Sequence, residues 1–291
     1  MTLLAATHSG KFHADDVLAW ALIRLFFSRD ASLVRKREPY PFEEADIVFD
    51  VGGSYDPSRM RFDHHQKDYE GELSSAGMVL EWLHGIGKLD ELLFKRLKDK
   101  LVDYVDDIDN GRVEPVQGVP CFASIVDAFN SGCAKLEDYD RAFHKASSIA
   151  EHLVAAIAWE LEEEKNSVAL VTAKMEEAVR LGRNFLEFPK YVKWKGAFFS
   201  SNGLEHPADF VVFPTMHGTW QAVCIPPVEG GFGQKVPFPA SWAGLRDTEL
   251  EEASGVEGAV FCHKNRFVAV FKTRNGLFEA MDRAGILQGP W

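Results

Sequence analysis

Leu3-Leu4-Ala5-Ala6-Thr7-His8-Ser9-Gly10-Lys11-Phe12-His13-Ala14-Asp15-Asp16-Val17-Leu18 passes from an apolar run through a polar loop into a helical pattern. Leu3 to Thr7 reads as a buried strand. Val17, Leu18, Ala21, Leu22 and Leu25 recur at helical spacing and predict a helix from about Asp15 to Phe27. Outward from this unit, Ser32 to Lys36 and Ile47 to Asp50 read as strands, with a short one at Met60 to Asp63. Ser75 to Leu83 and Leu89 to Asp106 read as helices. Strands alternating with helices predict an α/β domain on a Rossmann-like parallel sheet. Such a sheet presents its functional loops at the carboxyl ends of its strands.

Imidazoles and carboxylates fall at those strand ends. The first group is His8, His13 and Asp15; Asp50 ends the run Ala45-Asp46-Ile47-Val48-Phe49-Asp50; Asp63-His64-His65 follows Arg61-Phe62. A fourth, acidic group holds Asp103, Asp106, Asp107 and Asp109. Two adjacent divalent cations need several nitrogen or oxygen ligands each and a shared carboxylate, and this set supplies enough candidates. A mixed carboxylate and imidazole shell suits manganese or magnesium, with zinc an alternative. Each group also has a plainer reading. Asp15 or Asp16 would serve as a helix cap, Asp50 as a turn residue before Val51-Gly52-Gly53, and residues 103–109 as a solvated face. Their co-occurrence at strand ends favours a metal-dependent hydrolase.

The formal net charge of −12 argues against a broad basic groove for long nucleic acid, but not against a phosphate substrate held through bound cations. Arg35, Lys36 and Arg37 form a small basic cluster in this acidic background. It is either a surface run or a phosphate-steering element, with Arg35 and Arg37 the substrate-binding candidates. Cys121, Cys133, Cys224 and Cys262 make no CxxC pair, which suggests free thiols in a reducing compartment. The amino terminus lacks a basic region before its apolar run, and no stretch is long enough for a membrane span. A cytoplasmic enzyme is the expectation, with no membrane partner and a homodimer left open.

From Leu136 to about Leu186 the chain is rich in helix formers, and Ala142, Ala146, Ile149, Leu153, Ile157 and Leu161 line one face. Beyond it, Tyr191 to Trp194, Phe210 to Phe213, Trp220 to Ile225, Ala259 to Cys262 and Phe267 to Phe271 read as short strands. Lys264-Asn265-Arg266 reads as a hairpin turn, and a helix from Gly276 to Ala284 closes the chain. These readings place a catalytic domain with a helical spacer at 1–187 and a smaller α+β substrate domain at 188–291.

The motifs HSGKFHADD, DVGG, DHHQ and DDIDNG, in that order, resemble the Myg exonuclease family, a divergent branch of the DHH phosphoesterases. The resemblance continues through Ser74-Ser75-Ala76-Gly77, Pro239, Ser241-Trp242-Ala243-Gly244-Leu245-Arg246-Asp247, Ser254-Gly255 and Phe261-Cys262-His263. It implies a DHH-type domain holding two metals, commonly manganese, followed by a smaller domain. It further implies that His8, His13 and Asp50 hold the first ion and Asp15, Asp50, His64 and Asp106 the second, with Asp109 the runner-up to Asp106. His65 would face the phosphate as hydrogen-bond donor or acid, and Asp63 would orient an imidazole. Ordinary DHH enzymes carry a second aspartate where His13 stands. The glycine- and histidine-rich motif of many DHH carboxy-terminal domains is absent. His263, Lys272 and Arg274 stand in its place as candidate substrate contacts.

The function expected is a two-metal phosphodiesterase that activates water. A 3′-to-5′ exonuclease on RNA or short single strands fits best. The alternatives are a phosphatase or pyrophosphatase of a small phosphorylated metabolite, and a non-catalytic nucleotide-binding protein.

Overall fold

A computed structural model describes residues 2–291. The chain forms two compact units, Met1–Leu161 and Glu162–Trp291.

In the first unit, β1 (Leu4–His8) leads into α1 (Ala14–Leu22), which continues as a π-helical turn over Ile23–Phe27. Next come β2 (Ser32–Lys36), β3 (Ile47–Phe49), β4 (Tyr55–Asp56) and β5 (Arg61–Phe62). The sheet order is β2-β1-β3-β5-β4, with β4 antiparallel to β5 and the other pairs parallel. After β1 the chain pairs on one side through β2 and crosses to the other through β3. That reversal makes a topological switch point, with a crevice at the carboxyl ends of β1 and β3. His8 ends β1 and Asp50 follows β3.

Both faces of the central strands are covered, which is why they read as continuous apolar runs. Ala5, Ile47 and Phe49 face one core; Ala6 and Val48 pack with Phe42 and Ala45 on the other side. Every residue of α1 is buried, Asp15 and Asp16 included. Its Val17, Leu18 and Leu22 are fully buried; side chains of this size contribute about 1.5–3 kcal/mol each. That burial holds the helix start, and the carboxylates on it, against the sheet. The helices α2 (Ser75–Gly85), α3 (Glu91–Leu97), α4 (Asp103–Asp109) and α5 (Phe122–Phe129) complete this unit, with a second π-helical turn at Lys98–Val102.

Helix α6 (Leu136–Leu181) runs across the division between the units. Ala142, Phe143, Ala146, Ala150, Val154 and Ile157 belong to the first core, whereas Val171, Met175 and Ala178 pack with Leu186, Phe188 and Val211. The units therefore divide at Leu161/Glu162, where the helix changes cores, and not at 187/188 as composition suggested.

The second unit carries β6 (Phe185–Glu187), α7 (Trp194–Ser200), β7 (Phe210–Pro214), β8 (Trp220–Cys224), α8 (Asp247–Ser254), β9 (Ala259–Cys262), β10 (Val268–Phe271) and α9 (Arg274–Arg283). Its sheet order is β6-β7-β8-β10-β9, parallel only between β6 and β7. The hairpin at 264–266 is present, with Arg266 at φ 59°. Tyr191–Trp194 is not a strand: Trp194 opens α7 and packs against Phe198 one helical turn on. The strand in this region is β6.

Candidate metal centre

The loop from β1 to α1 is pinned from a distance. Arg35, 7% exposed, donates to the Gly10 carbonyl (2.8 Å) and to Asp140 (2.8 Å), and its guanidinium lies 4.4 Å from the Phe143 ring centroid. Arg35 is thus committed to holding the loop, which does not match the expected substrate contact. Asn130, 118 residues from Phe12 in sequence, clamps the Phe12 peptide: its Oδ1 accepts from the N–H (3.2 Å) and its Nδ2 donates to the carbonyl (2.9 Å). The His13 N–H donates to Asp16 Oδ1 (3.0 Å) and opens α1. Asp16 is therefore the cap that its sequence position suggested. Its other oxygen lies 3.2 Å from His8 Nε2, a placement that reading did not foresee.

Asp50 sits in the left-handed region, φ 55°, where few non-glycine residues are found and aspartate is among the commoner ones. This turn directs its carboxylate into the crevice. His8 Nε2 lies 3.1 Å from Asp50 Oδ2, and His64 Nε2 lies 3.4 Å from Asp50 Oδ1, 3.2 Å from Asp109 Oδ2 and 3.6 Å from Asp15 Oδ2. Four overlapping groups have donor atoms within 4.8 Å of one another: His8 with His13 and Asp50; Asp50 with His64 and His65; His13 with Asp15 and Asp109; Asp15 with Asp16 and Asp50.

These atoms are near one another without being hydrogen-bonded. Both oxygens of Asp15, both of Asp50, one of Asp16 and Nε2 of His64 are buried with no hydrogen-bond partner. Buried polar groups are otherwise almost always paired. The far nitrogens of the histidines are supported: His8 Nδ1 faces the Ser9 carbonyl at 3.3 Å, and His64 Nδ1 faces Asn110 Oδ1 at 3.4 Å. If His64 Nδ1 carries the proton, its Nε2 turns a lone pair toward the carboxylates, as metal-ligating histidines do.

The charges are strongly coupled. Burial, reinforced by Asp50, Asp109 and Asp16, pushes Asp15 well above the usual carboxylate range. Burial also raises Asp109, with His64 opposing it. For Asp50, burial is outweighed by neighbouring His64 and His8, which hold the carboxyl below its ordinary value. For His8, burial would lower the pKa, but Asp16 and Asp50 outweigh it and raise it to about 10. A cation would relieve the same repulsion.

Asp106 does not join this cluster. Its Oδ1 accepts from the Ser74 hydroxyl (2.5 Å), the Ser74 N–H (3.1 Å) and the Gly77 N–H (3.2 Å) at the start of α2. A Cβ on Gly77 would collide with the carboxylate. Burial outweighs these bonds and raises Asp106 to about 6. Asp109, one helical turn further, takes the position expected of Asp106.

His65 is held rather than buried. Asp63 Oδ1 receives its N–H (3.1 Å) and lies 2.8 Å from its Nδ1, while Asp63 Oδ2 accepts from the Gly53 N–H (2.5 Å). The His65 side chain is 61% exposed and raised in pKa chiefly by Asp63. A cavity of about 320 Å³ lies over the centre, lined by His8, His13, Arg37, Asp50, Val51, Gly52, Asp63 and His65. Arg37 donates from Nε to the Ser9 carbonyl (3.0 Å), with Nη2 3.3 Å from His8 Nδ1.

Among the candidates of the second unit, Arg274 forms a two-point ion pair with Glu187 (2.5 and 2.9 Å), so its charge is already matched. His263 Nδ1 accepts from the Asn265 N–H in the hairpin turn. Lys272 follows β10, its backbone N–H bonded to the Gly258 carbonyl.

The model of the MYG1_exonuc family, described as an uncharacterised protein family (UPF0160), matches residues 4–284. The chain is 38% identical over 282 residues to a MYG1 protein of Chlamydia trachomatis, covering 95% of this chain and 94% of that one. It is 31% identical over 325 residues to the MYG1 exonuclease of Homo sapiens, covering 97% and 85%. A crystal structure of exonuclease RecJ bound to manganese aligns with 97% of this chain and 89% of that one, at 12% identity and a TM-score of 0.28, too low for any transfer. No helix among the described residues is long and apolar enough to cross a membrane.

Proposed function

Because the chain belongs to the MYG1 exonuclease family, we propose that the centre around Asp50 makes it a metal-dependent nuclease. The observation that carries this reading is the set of five buried carboxylate oxygens, on Asp15, Asp16 and Asp50, that have no hydrogen-bond partner. Buried carboxylates that only histidines oppose are costly, and divalent cations are their natural counterpart. His8, His13 and Asp50 would hold one ion, and Asp15, His64 and Asp109 a second, with Asp50 shared. Two divalent cations supply Lewis acidity toward a phosphoryl group and lower the pKa of water.

The rest of the work falls to this chain's own side chains. Arg37, on the wall of the cavity beside His8, adds a fixed positive charge for a phosphoryl oxygen. Asp63 fixes the His65 ring through Nδ1, which leaves Nε2 to donate a hydrogen bond, or a proton, to the leaving oxygen. Its raised pKa favours the protonated form such a donor needs.

The substrate we infer is RNA or a short single strand, digested from its 3′ end, with manganese the working metal and the cytoplasm the place of action. The acidic balance supports short substrates, because no broad excess of lysine and arginine offers a track for long ones. End-labelled RNA incubated with protein and manganese should release mononucleotides from one end. Asp50→Asn, which keeps the backbone conformation, should release none. Free phosphate from small esters without mononucleotide release would instead indicate a phosphatase.

A further inference from the structure

A second cavity opens beside the metal centre and shares two of its residues. Its volume is about 430 Å³, within the ~300–1,000 Å³ typical of small-molecule sites. His13 and Asp109 form one side. The remaining walls are Phe12, Ala14, Val105, Ile108, Pro115 and Ala123, with Ser124 and Asp127 of α5.

The polar groups outside the metal centre are already engaged. Ser124 Oγ donates to the Cys121 carbonyl (2.8 Å) and accepts from the Cys121 N–H (2.9 Å). Asp127 is paired with Lys11 at 2.9 Å. What the cavity offers is therefore a largely apolar slot, with Asp127 paired through Oδ1 to Lys11 at its exposed rim, abutting residues that would hold a phosphate through metal. A ligand anchored by a phosphate at the centre would have its attached ring within reach of this slot.

Resting on the nuclease reading, we propose that this cavity is the subsite for the terminal nucleobase, and that it accepts bases by shape and apolar contact without reading their sequence. A site that discriminated bases would need unpaired donors and acceptors aimed at their edges, since base identity is carried by hydrogen bonding. Contact of a base with an apolar or aromatic surface tolerates any sequence.

Calorimetric titration with uncleavable products tests this apart from catalysis. In the presence of manganese, AMP and UMP should bind within a few-fold of each other, and each about tenfold or more tighter than ribose 5-phosphate. Ala123→Trp, which fills the slot, should bring the ratio of AMP to ribose 5-phosphate affinity to near one. Pro115→Asp, at an exposed position on the cavity wall, sets a charge against the slot, should lower the same ratio, and is a safeguard should the first variant not fold. Ribose 5-phosphate binding as tightly as AMP, or AMP and UMP differing by a hundredfold, would overturn the proposal. Base-dependent binding without cleavage of any oligonucleotide would uphold the subsite and strike the nuclease reading alone.

Discussion

Replacing Asp15 by asparagine should stabilise the protein in chelator and remove most of its response to metal. Asp15 is fully buried, neither oxygen has a hydrogen-bond partner, and Asp50, Asp109 and Asp16 all raise its pKa. Its ionised form is therefore a standing cost without a cation. A neutral isostere of the same shape should recover about 1–3 kcal/mol of that cost. For a unit of this size that corresponds to a rise in melting temperature of roughly 2–10 °C. The pH dependence has a defined sign. A carboxyl whose folded pKa is raised contributes stability below its unfolded value near 3.8, and loses it as pH climbs toward the folded one. The advantage of Asp15→Asn should thus be absent near pH 4 and grow toward neutrality. Manganese at a hundred times its dissociation constant should stabilise the wild type by about 2.7 kcal/mol and the variant far less. Thermal melts with EDTA and with manganese, across pH, give all four values. A variant that melts lower than wild type in EDTA at pH 7, or that gains as much from manganese, would refute the reasoning.

Asp109→Ala should abolish metal-dependent cleavage with little change in melting temperature, whereas Asp106→Ala should destabilise the fold by about 1–3 kcal/mol through the orphaned Ser74 and Gly77 donors; an assay of both variants reverses the assignment if the effects are exchanged. Gly77→Ala should cost about 1–3 kcal/mol, because the added methyl collides with the Asp106 carboxylate, and a denaturation midpoint equal to wild type would contradict that packing. Asn130→Ala leaves the Phe12 peptide without two partners and should cost about 1–3 kcal/mol while weakening manganese binding, measured by calorimetry. Since metal-free His8 titrates at about 10, manganese binding at pH 8 should release protons to the buffer, detectable as a dependence of the binding enthalpy on buffer ionisation.

The sheet of the first unit was legible because β1 and β3 are buried on both faces and are apolar without interruption. The clustering of imidazoles and carboxylates was legible for a related reason: polar residues at the ends of such strands have no packing role to explain them. The choice between Asp106 and Asp109 was not. Both lie on α4 one turn apart, and they are separated only in the fold, where Asp106 turns to Ser74 and Gly77 and Asp109 to His64. Asp16 was read as a cap alone because a one-dimensional pattern assigns a carboxylate one partner, whereas its two oxygens face different groups. Arg35 read as part of a surface run or as a substrate contact because strand alternation does not reveal that Phe12 and Phe143 lie against its guanidinium. The division of α6 between two cores was hidden by its unbroken helical composition.

The backbone at Asp50 narrows what inheritance can place there. Asparagine and glycine suit the left-handed turn but bring no anion; glutamate keeps the anion but lacks the short side chain that eases such a turn. If Asp50 holds the ions as proposed, every replacement should therefore fail on one of two unrelated counts. Natural copies of this protein that survive selection for cleavage should carry aspartate at that codon, while those that have lost it should show asparagine or glycine there before any bulkier residue.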